Sequence, residues 1–176
     1  MKLVLDACVI YPTVMREILL GTAARGIFAP VWSAQIIEEW LRAAEKIGPE
    51  GRAIATAEAA VMRDRFPQAE VAVTEEAGMW LPDPNDIHVL AAAVAANADG
   101  IVTANTQDFP MRALSVHHLD RWHPDAFLSG LAGDEAVIAE VVADVVAKAS
   151  RISGQSQRVR ALLKRAGMPR LGKLLG

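Results

Sequence analysis

A single cysteine, Cys8, stands in the 176 residues, so the chain can form neither an internal disulfide nor a thiolate metal cluster. Its core must hold by packing alone, with Cys8 reading as a small buried hydrophobe. No uninterrupted apolar run reaches membrane-spanning length, and the first apolar segment starts at Lys2 with no signal-peptide pattern before it. These absences predict a soluble cytoplasmic protein. Repeats and low-complexity tracts are absent too. The last absence is one of charge sign: residues 145–176 hold eight Lys and Arg and no acid, whereas residues 1–144 carry all 21 acids against 10 basic residues. The net charge of −3 thus hides a strongly acidic body and a basic tail. Such a tail suits phosphate backbones or an acidic partner, and it also suits a solvated helical face.

What is present is an apolar fraction of 52%, ample for one ordinary domain with a small appendage. KLVL reads as a short buried strand ending at Asp6, followed by an amphipathic helix from about Pro12 to Ala24 that Gly26 terminates. Residues 27–31 form a second apolar stretch. Ser33 then caps a helix carrying Ile36, Ile37, Trp40, Leu41 and Ala44 at core spacing. A helix over 50–66 and a strand near 69–73 follow. Asp83-Pro84-Asn85-Asp86 is a helix start, with Asp83 as cap, Pro84 at the first position and Asp86 where a capping-box acid sits. Residues 99–102 read as a strand, TANTQDFP as its loop, and SVHHL near 115–119 as a last strand. Helices alternating with brief apolar strands predict a parallel sheet covered on both faces. Residues 124–176 read as a helical extension, with a helix over 134–151 and a basic helix over 157–166.

Four acids stand where apolar segments give way to polar ones: Asp6, Glu39, Asp86 and Asp108. In open parallel α/β sheets ligands bind beyond the carboxyl ends of the strands, where Asp6 and the loop holding Asp108 would converge. Clustered carboxylates repel one another unless a cation compensates. Oxygen donors suit Mg2+ or Mn2+, which commonly bind substrate phosphates as well, so a phosphodiester is the natural substrate class. Glu38 and Glu39 are adjacent, and at most one should face the site. Thr103 at a strand end can bond an acid or a phosphate, or simply end the strand. His88, two residues beyond Asp86, points away from it on a helix and reads as packed or surface. His117, His118 and His123 lack metal-triad spacing and read as structural. The four tryptophans, Trp32, Trp40, Trp80 and Trp122, read as core or interface anchors rather than base-stacking platforms.

The segments LDACVIYP, WSAQIIEEWLR, LPDPNDIHVLAAAVAANADGIVT and TANTQDFP resemble those of the PIN-domain nucleases, over about residues 1–120. The resemblance implies a PIN-like three-layer α/β fold, with a central parallel sheet flanked by helices. Residues 1–123 would be the nuclease domain and 124–176 a C-terminal helical extension. It selects Glu39 over Glu38 and implies that Asp6, Glu39, Asp86 and Asp108 are the acids of a metal-dependent endoribonuclease, with metal on Asp6, Asp86 and Asp108. Many members have an acid where this chain has Asn105, so the fourth position falls to Asp108 or, through a metal-bound water, to Asn105. Asp83, Thr103 and Asn105 would support the site, and Arg158, Arg160, Lys164 and Arg165 would hold RNA. The compact form with a helical extension is similar to VapC-type toxins, which implies a small antitoxin partner and a homodimer. Two other classes fit parts of the pattern. A metal-dependent phosphatase would also use Asp6 but usually carries a second Asp where Cys8 stands, and a non-catalytic module would use the acidic pocket or the basic helices to bind a peptide or RNA.

Overall fold

The computed structural model describes residues 1–74 and 78–176, which form two compact units. The first comprises Met1–Tyr11 and Ala29–Trp122, and the second Pro12–Phe28 and His123–Gly176.

Among the described residues the first unit carries a five-stranded parallel sheet in the order β3-β2-β1-β4-β5. The strands are β1 (Lys2–Leu5), β2 (Ala29–Ser33), β3 (Glu70–Val71), β4 (Gly100–Val102) and β5 (Asp120–Trp122). Leu3, Val4 and Leu5 are successive and all buried, as are Gly100, Ile101 and Val102, so the two middle strands are covered on both faces. The helices of this unit are α1 (Ala7–Ile10), α3 (Ala34–Glu45), α4 (Gly51–Arg65), α5 (Ile87–Ala95) and α6 (Met111–Leu114). Ser33 caps α3 by accepting from the Ile36 backbone N–H at 3.2 Å, and Ile36, Ile37, Trp40, Leu41 and Ala44 are all buried. Helix α5 is apolar on nearly every side, and it lies against β1, β2, β4 and α3 with Val89–Ala93 buried.

The second unit is helical: α2 (Thr13–Ala24), α7 (Pro124–Ser129), α8 (Glu135–Ser153), α9 (Val159–Arg165) and α10 (Pro169–Leu175). Gly21 lets α2 approach α8, since a Cβ there would meet a Val141 methyl at 2.5 Å. Buried Asp125 accepts from the backbone N–H groups of Arg170 and Leu171, each at 2.9 Å, and so caps α10.

Several expectations are corrected. SVHHL is not a strand: Ser115–His117 form a 3₁₀ turn, and His118 takes a left-handed conformation at φ 57°. The Leu119 N–H returns to the Leu114 carbonyl, so extended pairing starts only at Asp120, opposite Gly100. The helix expected from about Pro12 to Ala24 is present as α2, and what the sequence reading lacked is the separate turn α1 before it, which Pro12, having no N–H, keeps from running on. The strand near 69–73 pairs only over Glu70–Val71. Residues 12–28 group with the C-terminal helices in the second compact unit. Trp32 and Trp40 are core residues, but Trp80 is 53% exposed, with the Arg112 guanidinium 5.0 Å from its ring centroid.

Candidate active site

The strand order reverses direction at β1, which has β2 on one side and β4 on the other; this is the switch point where open parallel sheets leave a crevice. Leu5 pairs with Val102, so the next residues of the two strands, Asp6 and Thr103, emerge side by side. The Thr103 hydroxyl donates to Asp6 Oδ2 at 2.7 Å, and Cys8 Sγ lies 3.1 Å from the same oxygen. Cys8 is therefore not simply a buried hydrophobe: it donates to Asp6 and also accepts from the Ala104 N–H at 3.3 Å. Burial pushes the Cys8 thiol up to about 12, with the Asp6 charge adding to the effect, so it stays protonated and able to donate. Asp6 itself is raised, first by burial and further by Glu39, while its hydroxyl and thiol donors oppose the shift.

Asp86 closes a 3₁₀ turn, Pro84–Asp86, that leads directly into α5. Its carboxyl is pushed up to about 6, by burial first and then by the charges of Asp6, Asp83, Asp108 and Glu39. The four sequence-selected acids thus meet in one electrostatic neighbourhood. The capping box is not formed, since Asp86 makes no side-chain cap bond, whereas Asp83 accepts from the Asn85 N–H at 2.9 Å as expected of a cap. Asp108 sits in the loop after β4 and accepts from the Asn105 amide, so the two candidates for the fourth position are bonded to each other. Arg121 on β5 braces that loop by donating to the Thr106 and Phe109 carbonyls. Sequence reasoning missed this brace, and no local signal announces it.

Glu38 and Glu39 part company on α3. Glu38 pairs with Arg52 at 2.9 Å and Arg42 at 3.2 Å, and the Arg52 bond chiefly holds its carboxyl below the usual range. Glu39 Oε2 lies 3.2 Å from Nε2 of His88, which is only 5% exposed. His88 Nδ1 is buried without a partner among the described residues, which favours the tautomer that donates from Nε2 to Glu39. The sequence argument turned His88 away from Asp86; the packing of α5 on α3 turns it toward Glu39. The basic candidates Arg158, Arg160, Lys164 and Arg165 are exposed and belong to the second unit, where Lys164 also lines a cavity of about 600 Å³ with His123, Asp125 and Arg170.

Among the described residues no three His, Cys, Asp or Glu side chains already form a metal-ligand shell. Magnesium does not require one, because it commonly takes one or two protein carboxylates and completes its octahedron with water and phosphate. Asp86 feels the charges of Asp6, Asp83, Asp108 and Glu39, and Asp6 that of Glu39; burial first and these charges second raise both carboxyls, a strain that such a cation would relieve. The fit is to a hard, oxygen-preferring ion.

The raised Asp86 carboxyl has a testable sign. A folded-state value of about 6 against an ordinary 3.8 means the stability it contributes is fully present below the ordinary value and is lost as pH rises through about 6. Without divalent metal, the denaturant midpoint should fall over that window, and Asp86→Asn should flatten the slope. Identical slopes for the two proteins would contradict the carboxylate clustering.

Fold and site together define a class: an α/β protein with a carboxylate group at the switch point of a parallel sheet. Residues 2–107 match the family model of the PIN domain, and the chain belongs to that family. A 43-residue stretch is 51% identical to the Mycobacterium tuberculosis protein named Putative ribonuclease VapC50, covering 24% of this chain and 25% of that relative. The chain therefore matches about a quarter of that relative's length. No solved structure matches the chain.

Proposed function

We propose that this chain is a metal-dependent endoribonuclease, and that it acts as the toxin of a toxin–antitoxin pair in the cytoplasm. The observation that supports this most is the meeting of Asp6, Glu39, Asp86 and Asp108 beyond the carboxyl ends of β1 and β4, within a PIN-domain segment. Asp6, Asp86 and Asp108 would hold Mg2+ or Mn2+, with Asn105 reaching the same ion through water. The bound ion supplies a polarised water, charge neutralisation at the phosphate and support for the leaving 3′-oxygen.

The protein's own contribution is to hold those acids in place. Thr103 and Cys8 both fix Oδ2 of Asp6. His88 orients Glu39, whose carboxylate can accept a proton from an attacking water. Arg121 and Asn105 hold the loop that carries Asp108. No protein nucleophile is required, and in-line attack leaves 5′-phosphate and 3′-hydroxyl ends. Arg158, Arg160, Lys164 and Arg165 would contact the RNA backbone in a salt-dependent way. An antitoxin arginine would be held in the acidic pocket by charge complementarity, and the toxin would act as a homodimer. The similarity to VapC50 supports the toxin reading.

The test is cleavage of structured and single-stranded RNA by purified protein with manganese, followed by end analysis. Cleavage that yields 5′-phosphate ends and stops on chelation is expected. Release of phosphate from small monoesters in place of RNA cleavage would instead indicate a phosphatase.

A further inference from the structure

A cavity of about 360 Å³ opens beside the carboxylates, lined by Gln35, Glu38, Glu39, Arg42, Asn85 and His88. Glu39 belongs both to this wall and to the acid group, so an occupant of the cavity would adjoin a phosphate held at those acids. We propose that the cavity receives one unstacked base of the RNA, and that Gln35, Asn85 and Arg42 determine which base. This rests on the ribonuclease reading above and names the substrate feature that the same site selects.

The volume lies near the lower end of small-ligand pockets, roughly 300–1,000 Å³, and so suits one nucleoside rather than a folded RNA element. The wall's polar groups divide into those already engaged and those facing outward with capacity left. Glu38 is taken by Arg52 and Arg42, and His88 Nε2 by Glu39. Asn85 spends its amide N–H on Asp83 at 2.9 Å, which leaves its side-chain oxygen as an acceptor. Arg42 bonds Glu38 through Nε and presents its terminal nitrogens as donors. Gln35, exposed on the first turn of α3, brings a donor and an acceptor in one plane.

Planar amides and a guanidinium match the donor and acceptor edges of bases, whereas lysine ammonium groups would mark a site for phosphate alone. Sequence-specific recognition of RNA uses such edges when the base is splayed out of its stack. A helical peptide docking in a groove would want an apolar floor, and this wall consists of charged and polar residues. A base is therefore the occupant favoured over a protein segment.

Two readouts test this. The first maps cleavage positions in a pool of RNA oligonucleotides of randomised sequence, with manganese, for the wild type, Gln35→Leu and Asn85→Ala. The second sequences the RNA retained from the same pool by Asp6→Asn protein, with and without the Gln35 and Asn85 changes, so that base preference is read without chemistry. All substituted wall positions are exposed, and thermal melting checks that the variants fold. We expect a preferred base at one position next to the cut, enriched also in the retained pool, and a drop in that preference on the order of tenfold in each wall variant. An unbiased retained pool overturns the proposal whether or not the wild type cuts RNA, and so does a preference that neither substitution changes. Absence of cleavage alongside a base-selective retained pool would sink the ribonuclease reading and leave the base pocket standing.

Discussion

Asp6→Asn should abolish manganese-dependent RNA cleavage while the protein melts at the same temperature or higher. The substitution is nearly isosteric, and its remaining side-chain oxygen can still accept from Thr103, so the junction of β1 with β4 is preserved. What goes is the charge. A carboxylate that would hold the metal ion is lost, and removal of one contributor to transition-state stabilisation costs roughly a hundred- to a thousandfold in rate. Stability moves the other way because burial and Glu39 both disfavour the ionised form of Asp6 in the fold, and an amide carries no such penalty. Rates on one RNA, together with melting curves at several manganese concentrations, provide the check. Manganese should raise the melting temperature of the wild type and not of the variant. Retained cleavage in Asp6→Asn would remove the basis for the proposed function, since Asp6 is the most buried of the four site acids and lies at the switch point.

Gly100→Ala should be the most damaging single methyl addition in the sheet. Gly100 opens β4 opposite Asp120, and a Cβ there would sit 2.4 Å from the Asp120 carbonyl oxygen and 2.5 Å from the Trp122 ring. The ring could turn aside, but the carbonyl is backbone within the β4–β5 ladder and can move only by shifting a strand. Overpacking of this kind costs about 1–3 kcal/mol, and the backbone clash places this case at the upper end. The effect should reach the site, because β4 delivers Thr103 and β5 delivers Arg121, which braces the Asp108 loop. A lowered denaturant midpoint is expected together with weaker manganese-induced stabilisation. An unchanged midpoint would mean that the two strands can separate without cost, contrary to the close pairing seen.

Ser33 and its helix were legible because capping and 3.6-residue periodicity are local, and both the cap and all five predicted core residues appear as expected. The failure at SVHHL has the opposite cause: β-branched and apolar residues satisfied a strand pattern, while a left-handed His118 and the register with Gly100 moved the strand to Asp120. Helix α10 escaped notice because Gly172 interrupts its pattern and its cap, Asp125, lies 45 residues from the nearer N–H it receives. A Cβ on Gly172 would sit 3.3 Å from the Arg160 carbonyl oxygen and from the Leu163 Cβ, so the close approach of α10 to α9 favours a small residue there.

By itself the sequence determined the parallel α/β architecture, the placement of acids at element ends and the family, because strand periods, caps and motif spacing are written in neighbouring residues. Only the tertiary structure decided that Glu38 is taken up by Arg52 and Arg42, that His88 turns to Glu39, and that Asn105 and Asp108 bond as a pair. Those outcomes depend on which helix lies against which and at what rotation. That choice is set by the packing of side chains far apart in the chain, and no local window of sequence contains it.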